Sequence, residues 1–173
     1  KTDITGAKKL PGALIEVYDA DGNTIFREYT NANGEISNIP VVPGTYTFKE
    51  TYAPSGYALN TAIKTFTVTA DGKVTGDTVI RDELNRVMLK KIRQNGEAAD
   101  GSVVFQQIPY GAYKIRELSA PYGYHPSEEE WPIVVNSTYL NPSTILVAVI
   151  NQDAPGRIKI LKQDELDQHV IAG

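Results

Sequence analysis

A twelve-residue pattern occurs twice in this chain. The segment YTFKETYAPSGY at 46–57 returns as YKIRELSAPYGY at 113–124. A turn and an aromatic precede each copy, PGTY at 43–46 and YGAY at 110–113. Two further echoes keep the same order. A lysine opens KTD at 1–3, KIR at 91–93 and KQD at 162–164, and TVIRDE at 78–83 is matched by VAVINQ at 147–152. Ordered recurrence of this kind means tandem copies of one module, each of which must bury a core of its own. The first module runs over residues 1–85 and the second over 86–154. Residues 155–173 form a linker, Pro155-Gly156, and the first strand of a third module.

The spacing within the copies is uneven. Lys1 stands 49 positions before Glu50, but Lys91 stands only 26 before Glu117, while the halves that follow the glutamates match in length. The second module is thus about 23 residues short between Asn95 and Gly111. Either a hairpin has been lost, or a disordered loop is missing and its ends meet near Asp100-Gly101. The second is preferred, because a small sandwich can hardly spare two strands and keep its core covered.

Local patterning makes the modules all-β. Asp21-Gly22, Asn33-Gly34, Pro43-Gly44, Asp71-Gly72 and Asn95-Gly96 are dipeptides that take tight turns cheaply. Between them lie short runs such as Thr65–Thr69 and Tyr46–Glu50, rich in Thr, Val, Tyr and Phe and alternating with period two. No stretch of a dozen residues carries an i, i+3, i+4 apolar stripe. Composition agrees: 173 residues, 41% hydrophobic and 22% charged, describe a globular chain and not a disordered one. A net charge of -4 argues against nucleic acid and anionic membrane surfaces as partners. With no cysteine there are no disulfides, thiol nucleophiles or zinc–thiolate sites, and two histidines are too few for a histidine-based metal cluster, so no cofactor is expected. The longest aliphatic run, Ile145–Ile150, is far below the roughly 20 residues that cross a bilayer, so no membrane insertion is expected of this segment. No leader is visible, and the abrupt opening at Lys1 reads as that of an excised piece.

Strand parity singles out a set of charged residues. Successive side chains alternate between faces, so Val87, Leu89 and Lys91 share one face, as do Ile158, Ile160 and Lys162. Tyr46, Phe48 and Glu50 line up, as do Tyr113, Ile115 and Glu117. Ile80 aligns with Asp82, and Val147 and Val149 with Asn151. Each module therefore aims a lysine, a glutamate and an Asp or Asn at its own core. Unpaired buried charge is costly, so the members of each set must meet and satisfy one another.

The glutamate-bearing pattern YxxxExxAPxGY resembles the E-box of Gram-positive pilins and of collagen-adhesin B-type (CnaB, SpaA-like) domains. The likeness covers nearly the whole chain, twice complete and a third time as a beginning. It implies tandem transthyretin-like, or inverse immunoglobulin-like, β-sandwiches. It also implies a spontaneous isopeptide bond between a first-strand lysine and a last-strand Asp or Asn, with the E-box glutamate as catalyst. Carried onto this sequence, Lys1 would join Asp82 with Glu50 assisting, and Lys91 would join Asn151 with Glu117 assisting. Lys162 would belong to a third module whose partners lie beyond this chain.

The chemistry is physically reasonable. A free lysine has a pKa of about 10.4 and its ammonium is no nucleophile. Burial among Val, Leu and Ile favours the neutral amine and also the neutral glutamic acid, which can then polarise the partner's carbonyl and relay protons. Asp82 would lose water and Asn151 ammonia. This is a single-turnover self-modification, not enzymatic turnover. The product ties the first strand of a module to its last, as suits the shaft of a cell-wall-anchored adhesin or pilin at the cell surface, in contact with adjacent modules of the same protein. The alternative is an adhesive module whose loops bind a host extracellular protein or glycan. Neither an LPxTG sorting signal nor a pilin polymerisation motif occurs in these residues.

Other signals read more plainly. Each lysine could instead snorkel at a strand edge. Asp19–Asn23 resembles part of a calcium loop but lacks the downstream glutamate, which favours a hairpin turn. Glu128–Glu130 reads as a solvated loop, and the sequon at Asn136–Thr138 carries no weight. Tyr52, Tyr57, Tyr122, Tyr124 and Trp131 could form a binding face, but packing around the repeated turn is the more economical account.

Overall fold

A computed structural model describes residues 1–93, 98–140 and 147–153, with the backbone alone over 91–93, 98–100 and 147–153. All thirteen elements among these residues are strands. The first half contributes β1 (Thr2–Asp3), β2 (Leu14–Tyr18), β3 (Thr24–Tyr29), β4 (Gly44–Tyr52), β5 (Lys64–Val68), β6 (Val74–Gly76) and β7 (Arg81–Asp82). Five of them form an antiparallel sheet in the order β3-β2-β4-β5-β6, while β1 and β7 make a separate parallel pair. The strands expected at Tyr46–Glu50 and Thr65–Thr69 are present with boundaries moved by one or two residues, the stretch 78–83 pairs only at Arg81–Asp82, and the strand expected at Ile158–Lys162 lies outside the described residues. The hairpin β2–β3 turns at Asp19–Asn23, where the Asp19 carboxylate accepts the backbone N–H groups of Asp21 and Asn23 at 3.0 and 2.9 Å. The calcium-like sequence is therefore spent on a turn.

Alternation in β4 explains the core. Tyr46, Phe48 and Glu50 are buried while their neighbours are not. Tyr46 and Phe48 pack with Ala13, Ile15, Val17, Phe66, Val68 and Ile80, and the Phe66 ring lies 5.4 Å from that of Tyr46 and 5.9 Å from that of Phe48. Pairing of β2 with β4 slips by one residue between Leu14↔Tyr52 and Ile15↔Glu50, so Thr51 is the extra residue of a bulge. Such bulges re-aim the side chains beside them, and this one directly follows the buried glutamate.

The second half contributes β8 (Arg86–Arg93), β9 (Ala98–Gln106), β10 (Gly111–Arg116), β11 (Tyr124–His125), β12 (Glu130–Val135) and β13 (Val147–Asp153). It repeats the first in register. Tyr46 pairs with Phe66 on β4 and β5, and Tyr113 pairs with Ile133 on β10 and β12, both 67 residues further on. Both tyrosine hydroxyls donate to the carbonyl four residues back, Tyr46 to Val42 and Tyr113 to Pro109, each at 2.8 Å. β8 and β13 are parallel, as β1 and β7 are, within a sheet ordered β11-β13-β8-β9. Val87, Ile133, Val135 and Tyr139 form the second core. The shortened stretch is occupied by β9, which pairs antiparallel with β8 and shifts register between Lys90 and Ile92, opposite the Asp100-Gly101 step. Among the described residues, β10 has no counterpart of β2 beside it.

Asn85 joins the halves. It is fully buried, and its side-chain amide donates to the Ile108 carbonyl at 2.8 Å and accepts the Ile108 N–H at 2.7 Å. Its own N–H reaches the Gly56 carbonyl at 3.1 Å, and its carbonyl accepts from Gln107 at 3.1 Å.

Candidate functional site

Two strands and a turn bring three charged groups together. The Thr2 N–H donates to the Ile80 carbonyl at 3.1 Å, which lays the lysine strand along β7. Ile80 and Asp82 face inward while Arg81 between them is exposed. Gly34 allows the close approach that seats the lysine: its φ is +69°, and a Cβ there would lie 2.4 Å from the Lys1 carbonyl oxygen. The Lys1 amine then sits 2.7 Å from Glu50 Oε1 and in hydrogen-bond contact with Asp82 Oδ1. The side chains of Lys1, Glu50 and Asp82 are 1%, 0% and 0% exposed.

The surroundings push both acids toward their neutral forms. Glu50 Oε2 accepts the Asn60 N–H at 2.9 Å, and the Asn60 side-chain amide holds the Arg81 carbonyl at 2.6 Å. Burial, and then the neighbouring Asp82 charge, push the Glu50 carboxyl up to about 7, against the opposing pull of Lys1 and the Asn60 N–H. Burial also raises Asp82, opposed by Lys1. Asp82 Oδ2 is buried without a hydrogen-bond partner. Two acids drawn toward neutrality and one amine in contact with both form a buried set in which the amine can reach a carboxyl carbon.

The second module reaches over this site. Tyr110 donates its hydroxyl to the Ala53 carbonyl, and its ring meets that of Tyr52 edge-on at 5.8 Å. Burial, together with Tyr52, Glu50 and Asp82, raises the Tyr110 hydroxyl well above the usual phenol range.

In the second module, Glu117 follows β10 half-buried, and its Oε2 accepts the Ser127 N–H at 2.9 Å, ten residues ahead as Asn60 is from Glu50. Lys91 lies opposite Val149 in the parallel pair β8–β13, with Asn151 two positions further. The residue before Thr2↔Arg81 places Lys1 opposite Ile80, with Asp82 likewise two positions further. The backbone register of the two sets is thus the same. The side chains of Lys91 and Asn151, and all of Lys162, lie outside the described residues.

Sequence reasoning missed Asn60, Asn85 and Tyr110. Asn60 had a signal, since it and Ser127 stand at the same distance from their glutamates. Asn85 and Tyr110 had none, because each acts across the joint between modules. Of the remaining candidates, Glu130 pairs with Lys114 at 2.7 Å on the surface, Asn136 accepts from Thr138 in a local turn at 3.0 Å, and Tyr57 is buried whereas Tyr122 is wholly exposed.

Comparison with known proteins places the chain in a family. Over 71 residues, 41% of the chain, it is 39% identical to the trypsin-resistant surface T6 protein of Streptococcus pyogenes serotype M6, a stretch that is 13% of that protein's length. Among solved structures it is similar to the Bacillus anthracis TIE protein, with 24% identity, a TM-score of 0.49, and coverage of 88% of this chain and 33% of that one. It is also similar to BcpA, the major pilin subunit of Bacillus cereus, with 13% identity, a TM-score of 0.32, and coverage of 88% and 97%. The SpaA prealbumin-like fold domain matches residues 1–84 and again residues 78–146. With two successive matches spanning most of its length, and an all-β fold to go with them, the chain belongs to the SpaA family of prealbumin-like fold domains.

Proposed function

We propose that this chain is a stalk segment of a cell-wall-anchored Gram-positive adhesin or pilin, displayed at the cell surface and closed by isopeptide bonds that it makes itself. The pairs are Lys1 with Asp82 and Lys91 with Asn151, served by Glu50 and Glu117. Lys162 belongs to a further module. The observation that carries the reading is the buried Lys1 amine in contact with both Glu50 and Asp82. The match to a streptococcal surface protein, together with the SpaA family membership, supports the setting.

Only the free-base form of the Lys1 amine can act as the nucleophile. Glu50, protonated, hydrogen-bonds the carbonyl oxygen of Asp82 and raises the electrophilicity of its carbon. Nζ attacks Cγ, and the tetrahedral intermediate collapses to an amide as the Asp82 hydroxyl leaves with a proton as water. Glu50 passes the amine's proton to that leaving group and ends as it began. In the second module the leaving group is ammonia. The fold supplies proximity worth on the order of 7–11 kcal/mol over a bimolecular reference. Because the chain is changed once and permanently, no turnover follows.

The bond accounts for the purpose of the site. Tension applied to the ends of the first module would load a covalent link between its first and last strands, in place of the two-residue ladder of β1 and β7. Intact mass measurement tests the proposal: the folded chain should lack one water and one ammonia, Glu50→Ala should restore the water, and Glu117→Ala the ammonia. A folded wild-type chain of unreduced mass would contradict it.

A further inference from the structure

In the first module, the turn that follows Glu50 is a seat. Its Ala53 carbonyl accepts from Tyr110, its Ser55 hydroxyl accepts the Tyr110 N–H at 3.1 Å, and its Ala53 N–H donates to Ser137 at 3.2 Å. Just beyond it, the Leu59 N–H donates to Tyr139 at 2.7 Å. Every one of these partners belongs to the module that comes next along the chain.

The corresponding turn of the second module, residues 118–124, has the same backbone pattern: the Tyr124 N–H donates to Pro121 at 3.1 Å, as the Tyr57 N–H donates to Pro54 at 3.0 Å. Three side chains differ. Tyr52, which meets the Tyr110 ring at the first joint, is replaced by Ser119. Thr51 is replaced by Leu118, which is 80% exposed, and Ser55 by Tyr122, whose whole surface is exposed. Single exposed apolar side chains are ordinary. Leu118 and Tyr122 flank one turn, and that turn is the counterpart of one already occupied. The junction residues change in a complementary way. Asn85, three positions after Asp82, clamps the first joint through its buried side-chain amide. Three positions after Asn151 stands Ala154, followed by Pro155-Gly156, with no amide to do the same.

We propose that the turn at residues 118–124 is the docking surface for a third copy of this module in the same polypeptide, the copy opened by Ile158-Lys-Ile-Leu-Lys162. At this second joint Leu118 and Tyr122 supply apolar anchors where the first joint relies on Asn85 and Ser55. The partner is a β-sandwich whose loops, equivalent to residues 107–110 and 137–140, cover the turn. The proposal rests on reading residues 157–164 as the start of that copy.

The test compares this chain with the same polypeptide carried on through its third module, using nitration of Tyr122 followed by peptide mapping, with the half-exposed Tyr29 as internal control. The longer chain should lose Tyr122 labelling and keep Tyr29 labelling. The paired substitutions Leu118→Thr and Tyr122→Ser in the longer chain should leave all three sandwiches folded by amide exchange, while small-angle scattering shows the second joint loosened. A folded third module with Tyr122 still labelled at the original rate would overturn the seat alone. A chain in which residues 157 onward build no sandwich would overturn both the seat and the reading beneath it. Protection of Tyr122 only by an added matrix protein or glycan would also overturn it, in favour of an adhesive surface.

Discussion

The Lys1 amine and the Asp82 carboxyl touch inside the first sandwich, across 81 positions of chain and out of reach of water. Left as an ion pair, such a contact gains little, because the desolvation of two charges cancels most of their attraction. Converted to an amide it removes both charges and closes the chain on itself.

Replacing the nucleophile therefore costs more than an ion pair. Lys1→Met keeps the bulk of the side chain but cannot form the bond, and closing a loop of about 80 residues stabilises by about 4–5 kcal/mol on chain-entropy grounds. Chemical denaturation of the variant should show the first module destabilised by that order. Asp82→Asn, by contrast, should still crosslink, with loss of ammonia in place of water in its mass.

Bond formation should depend on pH through Glu50. Its carboxyl is raised in the folded chain from 4.5 to about 7. The folded state thus holds this proton more tightly than the unfolded one, and the protonated acid is present below about pH 7 and lost above it. Crosslinking of unreacted chain refolded from denaturant, followed by mass, should slow as the pH rises through about 7. A rate that climbs steadily across that range would assign the limiting step to the amine.

Gly34→Ala should impair crosslinking from outside the reacting set. The added Cβ would meet the Lys1 carbonyl oxygen at 2.4 Å in a left-handed conformation, which costs an L-residue roughly 1–2 kcal/mol before any clash. The lysine strand must shift, so the variant should contain an uncrosslinked fraction by mass while its far-ultraviolet circular dichroism stays β.

Asn85→Ala should loosen the joint between modules. It leaves the N–H and carbonyl of Ile108 without their partners, a loss of about 1–3 kcal/mol for each buried group stranded. Thermal unfolding should show the second module melting earlier, with exchange of the Ile108 and Tyr110 amides speeded, and the first module's mass unchanged.

Much of this was legible because strands have a period of two. Tyr46, Phe48 and Glu50 had to share a face, and two apolar neighbours told which face that was. The recurrence at 113–124 then located the second glutamate. The bulge at Thr51 was hidden, since an extra residue between Glu50 and Tyr52 leaves the alternation up to Glu50 intact. Only Arg81 and Asp82 of the stretch 78–83 pair as a strand, with Ile80 contributing its carbonyl to the Thr2 N–H. Asn85 and Tyr110 were illegible for another reason: their partners, Ile108 and Ala53, lie 23 and 57 positions away in the other module, and no local pattern encodes a contact between sandwiches.

The central claim is the covalent link between Lys1 and Asp82, and tryptic peptide mapping of the folded wild-type chain reads it most directly. Trypsin cannot cut after an acylated lysine, so the account predicts one branched peptide joining residues 1–8 to residues 82–86, lighter by one water than its two arms. Recovery of free Lys1 and an unbranched Asp82–Arg86 peptide from fully folded protein would contradict it.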